Sequence, residues 1–170
     1  ISPVGEGWAA SLTTLSAERL TLSGLKKKRK ASDEILGGKT FDEILAVARA
    51  AERTADPMVR QRLVQEWTKG RVLQLTIERS RANAAAGRPP GPEGSITKIA
   101  KASSNQSLQV LAMELLGAGA TAWPSEDDER ADFVRQFLRT RANSIEGGTS
   151  EIQRNIVGER VLGLPREPDT

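Results

Sequence analysis

The sequence predicts an all-α fold, an antiparallel bundle of the four-helix type built from three or four long helices. Three observations predict it. Aromatic residues make up only 4% of the 170, so a core must come from Leu, Val, Ile and Ala, which favours helices over a sandwich. Apolar residues recur at spacings of three, four and seven. No strand-like alternation longer than four residues interrupts them. The length suits one domain, residues 1–170, with a core of its own.

Each element follows from local signals. Residues 1–7, "ISPVGEG", read as an extended lead-in, because Pro3 disfavours helix before it and the glycines break it after. A helix begins at Trp8 and carries Leu12, Leu15, Leu22 and Leu25 on one stripe. Five consecutive basic residues, Lys26 to Lys30, interrupt it. With no aromatics interleaved and a net charge of only +3, this run reads as a solvated helix end or mobile loop, and no nucleic-acid partner is expected. Residues 41–53 form a short amphipathic helix. Asp56 followed by Pro57 signals an N-cap and first helical position, opening a long helix to about residue 86. There Val59, Leu63, Trp67, Val72 and Leu75 track one side. "GRPPGPEGS" at 87–95 is a connector, and another long helix runs from 93 to 116. "GAGATAWPSEDDE" breaks it. Helices at 127–141 and 149–161 follow, the last stopped by Gly163 and Pro165.

Composition excludes several chemistries. Without cysteine or histidine there is no disulfide, thiolate or histidine metal site, Cys nucleophile or His-based triad, and no metal is expected. Proton transfer near neutrality falls to Asp, Glu or Lys. No apolar run is long enough to span a bilayer, and no signal peptide opens the chain, so the expected location is cytoplasmic. A start at Ile1 suggests a fragment, a processed chain or a cloned domain.

The densest chemistry lies in "SIEGGTSEIQRN", Ser144 to Asn155. Gly147 and Gly148 let a ligand approach the backbone, and the helix start at Thr149 or Ser150 offers unpaired N–H groups. Such a turn can bind a phosphate or donate to a carbonyl oxygen as charge builds on it. It is equally a capped helix after a glycine turn, with Thr149 as N-cap and Glu151 in the first turn.

The wording of the motif goes further. "IEGGTSEIQRNIVGERVLGLPR" closely resembles the C-terminal signature of the acyl-CoA dehydrogenases. "ISPVGEGWAASLTTLSAERLTLSG" resembles the passage where that family enters its C-terminal helical domain, and the helices and connectors from Asp56 to Gly119 share its order. The resemblance spans essentially the whole chain and is loose between Lys26 and Ala55.

The resemblance implies α,β-desaturation of an acyl-CoA thioester. A carboxylate takes the α proton, FAD takes hydride from the β carbon, and an electron-transferring flavoprotein reoxidises the flavin. Such a base needs a dry, apolar pocket that raises its pKa, and the thioester oxygen needs donors. Many members carry the base immediately before Gly-Thr, where this chain has Gly147. A branch carries it on the first helix before an arginine, and "LSAERL" matches that pattern, so the resemblance implies Glu18 as base, with Glu146 as the competing choice. Arg19, Glu146 and the Gly147 N–H fall at substrate, the last on the thioester carbonyl. Gly148, Thr149 and Glu151 fall where flavin contacts lie, as does Gln61. Gly117 falls in a turn that meets the flavin of a neighbouring subunit. Departures appear at Glu114, Ala118 and "GGKTFDEI", which keeps only an echo, Lys39-Thr40-Phe41, of an Arg-x-x-Phe-Gly flavin segment. The family's N-terminal helical and middle β domains have no counterpart in this chain, which implies a domain inert or nearly so in isolation. It implies a homo- or hetero-oligomer, dimer or tetramer, and lipid metabolism as setting, with simple fatty and bulky sterol-derived acyl groups both open. The alternative is a non-catalytic subunit that holds FAD or scaffolds an active partner.

Overall fold

A computed structural model describes residues 3–22, 36–88, 91–122, 125 and 128–166. Among them are six α-helices and no strand: α1 (Gly7–Leu22), α2 (Phe41–Ala50), α3 (Pro57–Ala85), α4 (Glu93–Leu116), α5 (Glu129–Arg139) and α6 (Ser150–Ile156). The basic run at Lys26 to Lys30 lies outside the described residues. None of the described helices is long and apolar enough to cross a membrane.

Two helix starts, at Asp56 and Thr149, follow the caps read from the sequence, and a third cap, at Thr40, is one that sequence reasoning missed. The Asp56 side chain accepts from Met58 N at 2.8 Å, with Pro57 supplying a first-turn residue that has no N–H to satisfy. Thr40 and Glu43 form a reciprocal capping box at α2. Thr149 accepts from Ile152 N and caps α6. Three ends differ from expectation. The α2 helix stops at Ala50, and the left-handed Glu52 (φ 53°) turns the chain into a short 3-10 segment at Arg53–Ala55. The helical stretch expected at 127–141 is α5 followed by a 3-10 segment, Thr140–Ser144. The last helix passes at Val157–Val161 into a π-helical turn.

Helix α4 is the axle. It packs against α1, α2, α3, α5 and α6. Its pairing with α3 is antiparallel: Glu66 and Lys69 meet Ser107, while Arg62 meets Glu114. Ile44 and Ala48 from α2, Val59 and Leu63 from α3, and Leu111, Ala112 and Leu115 from α4 form the main core. The apolar stripe of α3 is buried only at its beginning. Val59 and Leu63 are in the core, but Trp67, Val72 and Leu75 are exposed, as are Trp8, Leu12 and Leu15 of α1. Beyond Leu63 the residue that faces α4 is Glu66, held by Ser107 at 2.6 Å and Lys69 at 2.7 Å.

The polar side chains of α4 do structural work as well. Asn105 and Gln109 grip the chain ahead of α2: Gln109 accepts from Lys39 N and donates to Lys39 O, and Asn105 donates to Gly37 O and Asn143 Oδ1. Gln136 of α5 accepts from Gly38 N at 2.7 Å. A Cβ at Gly38 (φ +99°) would run into the Asn105 amide, so glycine is required there by both backbone and space.

Candidate functional site

The turn Ser144–Thr149 joins the 3-10 end of α5 to α6. Gly147 (φ 70°) and Gly148 (φ 90°) both take the left-handed conformation that only glycine adopts cheaply. That reversal leaves the buried Gly147 with its N–H facing α1 and its carbonyl facing α6.

Two of the carboxylates expected at this turn have opposite fates. Glu18, 129 residues away in sequence, comes in from α1, and its Oε1 accepts from Gly147 N at 3.1 Å. Glu146 points into the scaffold. It takes two hydrogen bonds from the Arg139 guanidinium, at 2.8 and 3.2 Å, and one from Asn143 Nδ2 at 2.6 Å. Asn143 also donates to Leu36 O, so the Glu146 carboxylate ends the network that grips residues 36–39. The Arg19 side chain lies outside the described residues.

Behind the turn lie two polar groups that sequence reasoning missed. Gln153 of α6, 1% exposed, donates from Nε2 to Gly147 O at 3.0 Å, while its Oε1 has no partner among the described residues. The buried Lys98 ammonium of α4 likewise makes no hydrogen bond among the described residues. Burial pushes Lys98 below the usual lysine range, partly offset by the charges of Glu146 and Glu151. Lys98 and Glu146 share the lining of a small cavity, of about 10 Å³, with Asn143 and Ala102. Both groups sit on helices whose sequence looks solvated, and an interior donor or acceptor leaves no periodic signal.

The residues assigned to flavin fall in two places. Gly148, Thr149 and Glu151 adjoin Gly147. The exposed Glu151 carboxyl is held below its ordinary range, chiefly by a hydrogen bond from its own backbone N–H, with Thr149 and Arg154 adding to it. Gln61 and Gly117 lie at the other end of the α3–α4 pair, near the Arg62–Glu114 ion pair. From Lys98 to Gly117 along α4 is about 28 Å at 1.5 Å per residue, so one chain does not bring them to the Gly147 turn. A Cβ at the exposed Gly117 would meet nothing, so the turn is open to an outside group. The hydroxyl of Thr149, the acceptor of Glu151 and the bare peptide of Gly148 fit the polar edge of a flavin. Lys39 does not: its ammonium is engaged by Asp132 at 2.5 Å and Glu43 at 3.1 Å, and it lies over Phe133 at 4.9 Å. Its pKa is raised: burial lowers it, but these two carboxylates outweigh that. Among the described residues no group of three or more acidic side chains is arranged to hold a metal ion.

Sequence and fold comparisons agree on where this chain belongs. A family profile described as "Acyl-CoA dehydrogenase, C-terminal domain" matches residues 5–162. The chain is similar to acyl-CoA dehydrogenase IpdE1 of Mycobacterium tuberculosis, 34% identical over 163 residues, covering 96% of this chain and 40% of that protein. It thus spans about two-fifths of that curated relative's length. Among solved structures it superposes on the Tcur3481-Tcur3483 steroid ACAD, with a TM-score of 0.74 and 22% identity, over 98% of this chain and 42% of the other. It also superposes on the ChsE4-ChsE5 complex from Mycobacterium tuberculosis, with a TM-score of 0.59 and 24% identity, over 73% of this chain and 36% of the other.

Proposed function

The chain belongs to the acyl-CoA dehydrogenase family as a C-terminal domain, and from that premise we propose that it forms the thioester-facing part of an FAD-dependent enzyme that desaturates an acyl-CoA between its α and β carbons. The observation that carries the proposal is the 3.1 Å contact between Glu18 Oε1 and the Gly147 N–H. In this reading the two partners are the base and the carbonyl donor of one reaction. The Gly147 N–H donates to the thioester oxygen and stabilises charge that develops as the α proton leaves. That oxygen must take the place that Glu18 Oε1 holds in the free protein, which releases the carboxylate to face the α carbon beside the carbonyl. Glu146, turned away into Arg139 and Asn143, serves as an anchor for the turn. When bound, FAD supplies the acceptor for the hydride that leaves the β carbon. Gly148, Thr149 and Glu151 would hold its polar edge, with Gly117 and Gln61 serving a neighbouring subunit's flavin.

Around this domain the complete protein would add an N-terminal helical and a middle β domain, closing the site from water. The exposed apolar faces of α1 and α3 would pack in a homo- or hetero-oligomer, and an electron-transferring flavoprotein would take the electrons. A second reading, an FAD-holding or scaffolding subunit without turnover, draws on one observation. The remnant of the flavin-binding segment, Lys39, is consumed by Asp132 and Glu43.

The test is an anaerobic titration of the full-length natural protein with straight-chain, branched and polycyclic acyl-CoA thioesters, followed by flavin absorbance. Bleaching in the natural protein and none in Glu18→Gln is expected. Flavin retained without bleaching by any thioester supports the scaffolding reading, and bleaching that survives Glu18→Gln removes Glu18 as base.

A further inference from the structure

We infer that Gln153 is a positioning residue that aims the Gly147 N–H at the thioester carbonyl. The inference rests on the carbonyl-binding role proposed above for Gly147. The Gly147 N–H lies in the 146–147 peptide and the Gly147 carbonyl in the 147–148 peptide, and glycine at positive φ has no side chain to lock the two torsions between them, so the orientation of one plane relative to the other is held by the hydrogen bonds on either side. On the N–H side the partner is Glu18, which the substrate oxygen would displace. On the carbonyl side the partner is Gln153 Nε2, at 3.0 Å and fully buried. The neighbouring hydroxyl contact, Ser150 Oγ to Ser144 O, is long at 3.4 Å and does not touch Gly147. Once substrate removes Glu18 from the N–H, Gln153 is the described side chain still bonded to that residue's peptide groups.

The burial of Gln153 points the same way. An amide 1% exposed, with its Oε1 unpartnered among the described residues, is an uncomfortable choice for a helix that needs only to be packed. An apolar residue of the same length would fill the space and leave no orphan acceptor. What it would not supply is the Nε2 donor. Gln153 acts through Gly147, and no contact with substrate is assigned to it.

The experiment compares two ligands of the full-length natural protein, an acyl-CoA thioester and the matching thioether, in which a methylene replaces the carbonyl. The ratio of their affinities, read by calorimetric titration, isolates the carbonyl hydrogen bond from the binding of CoA and chain. Gln153→Met keeps the volume and removes the donor. It should lower the thioester-to-thioether ratio by about five- to tenfold with thioether affinity unchanged. Gln153→Glu, of nearly identical shape but with an acceptor toward Gly147 O, should lower it at least as far, and serves if the methionine variant does not fold. A ratio unchanged in the folded variant, or a fall of both ligands together, overturns the positioning role. A natural protein that binds thioester no better than thioether overturns the carbonyl-binding reading of Gly147 itself, and the inference with it.

Discussion

Truncating Glu18 to alanine should separate two effects that ordinarily move together. In the free protein Glu18 Oε1 accepts from the Gly147 N–H at 3.1 Å, so a thioester oxygen has to compete for that donor. Glu18 is exposed, which places the net worth of its hydrogen bond near the ordinary value of about 1 kcal/mol rather than the larger one of a buried charged pair. Removing the competitor should therefore tighten thioester binding about fivefold. The thioether analogue makes no demand on the N–H and should bind Glu18→Ala as it binds the natural protein. Turnover should move the other way, falling by about 10²- to 10⁴-fold with the loss of the base. The assay pairs calorimetric titration of both ligands with stopped-flow flavin reduction. Thioester affinity that falls in Glu18→Ala, or that shifts in step with the thioether, refutes the competition. Near-natural flavin reduction refutes the base.

Two further outcomes follow from the carboxylates and the cation behind the turn. Glu146→Gln should leave flavin reduction near the natural rate but lower unfolding free energy by about 1–2 kcal/mol, because Arg139 and Asn143 lose their anionic acceptor; denaturant unfolding alongside stopped-flow measurement checks both. Lys98→Met should raise stability by an amount on the order of 1 kcal/mol at neutral pH, because it removes a buried ammonium that makes no hydrogen bond among the described residues. Burial holds the folded-state pKa of Lys98 below its unfolded value of 10.5, so between the two values the unfolded chain binds more protons and stability rises with pH. The advantage of Lys98→Met should accordingly shrink as pH climbs toward 10.5, and an advantage that is constant or grows with pH contradicts the unpaired-ammonium account.

What the sequence made legible was local. Asp56-Pro57 and Thr149 mark their helices because a cap and the N–H groups it satisfies lie within three residues of each other, and the Thr40–Glu43 box, which sequence reasoning missed, obeys the same rule. The periodic stripe of α3 was legible as a helix but not as a core, since Trp67, Val72 and Leu75 are exposed and Glu66 is buried. Periodicity reports that a face is apolar and is silent on what covers it. The pairing of Glu18 with Gly147 could be anticipated only from a family pattern, because no local rule links residues 129 apart. Gln153, Lys98 and the amides of α4 escaped for the opposite reason. The run Ser103 to Gln109 looks solvated, yet in a helix surrounded on most sides two of its side chains, Asn105 and Gln109, satisfy the carbonyl of Gly37 and both backbone groups of Lys39. A long helix with amides in its middle is the one signal that could have raised the question.

The geometry also bears on why a carboxylate arriving from α1 and a glycine at 147 belong together. The peptide that joins residues 146 and 147 points its N–H at Glu18, while the side chain on its earlier residue runs back to Arg139 and Asn143. A glutamate at 147 in this backbone would adopt φ near 70°, which costs a residue with a Cβ about 1–2 kcal/mol. It would also add a second carboxylate at the same turn, where like charges repel. Glycine at 147 avoids both and leaves the N–H clear for whichever acceptor comes to it. The price of that freedom is a 147–148 peptide with no side chain of its own to hold it, which is why the donor on its carbonyl, Gln153, matters to what the near side can bind.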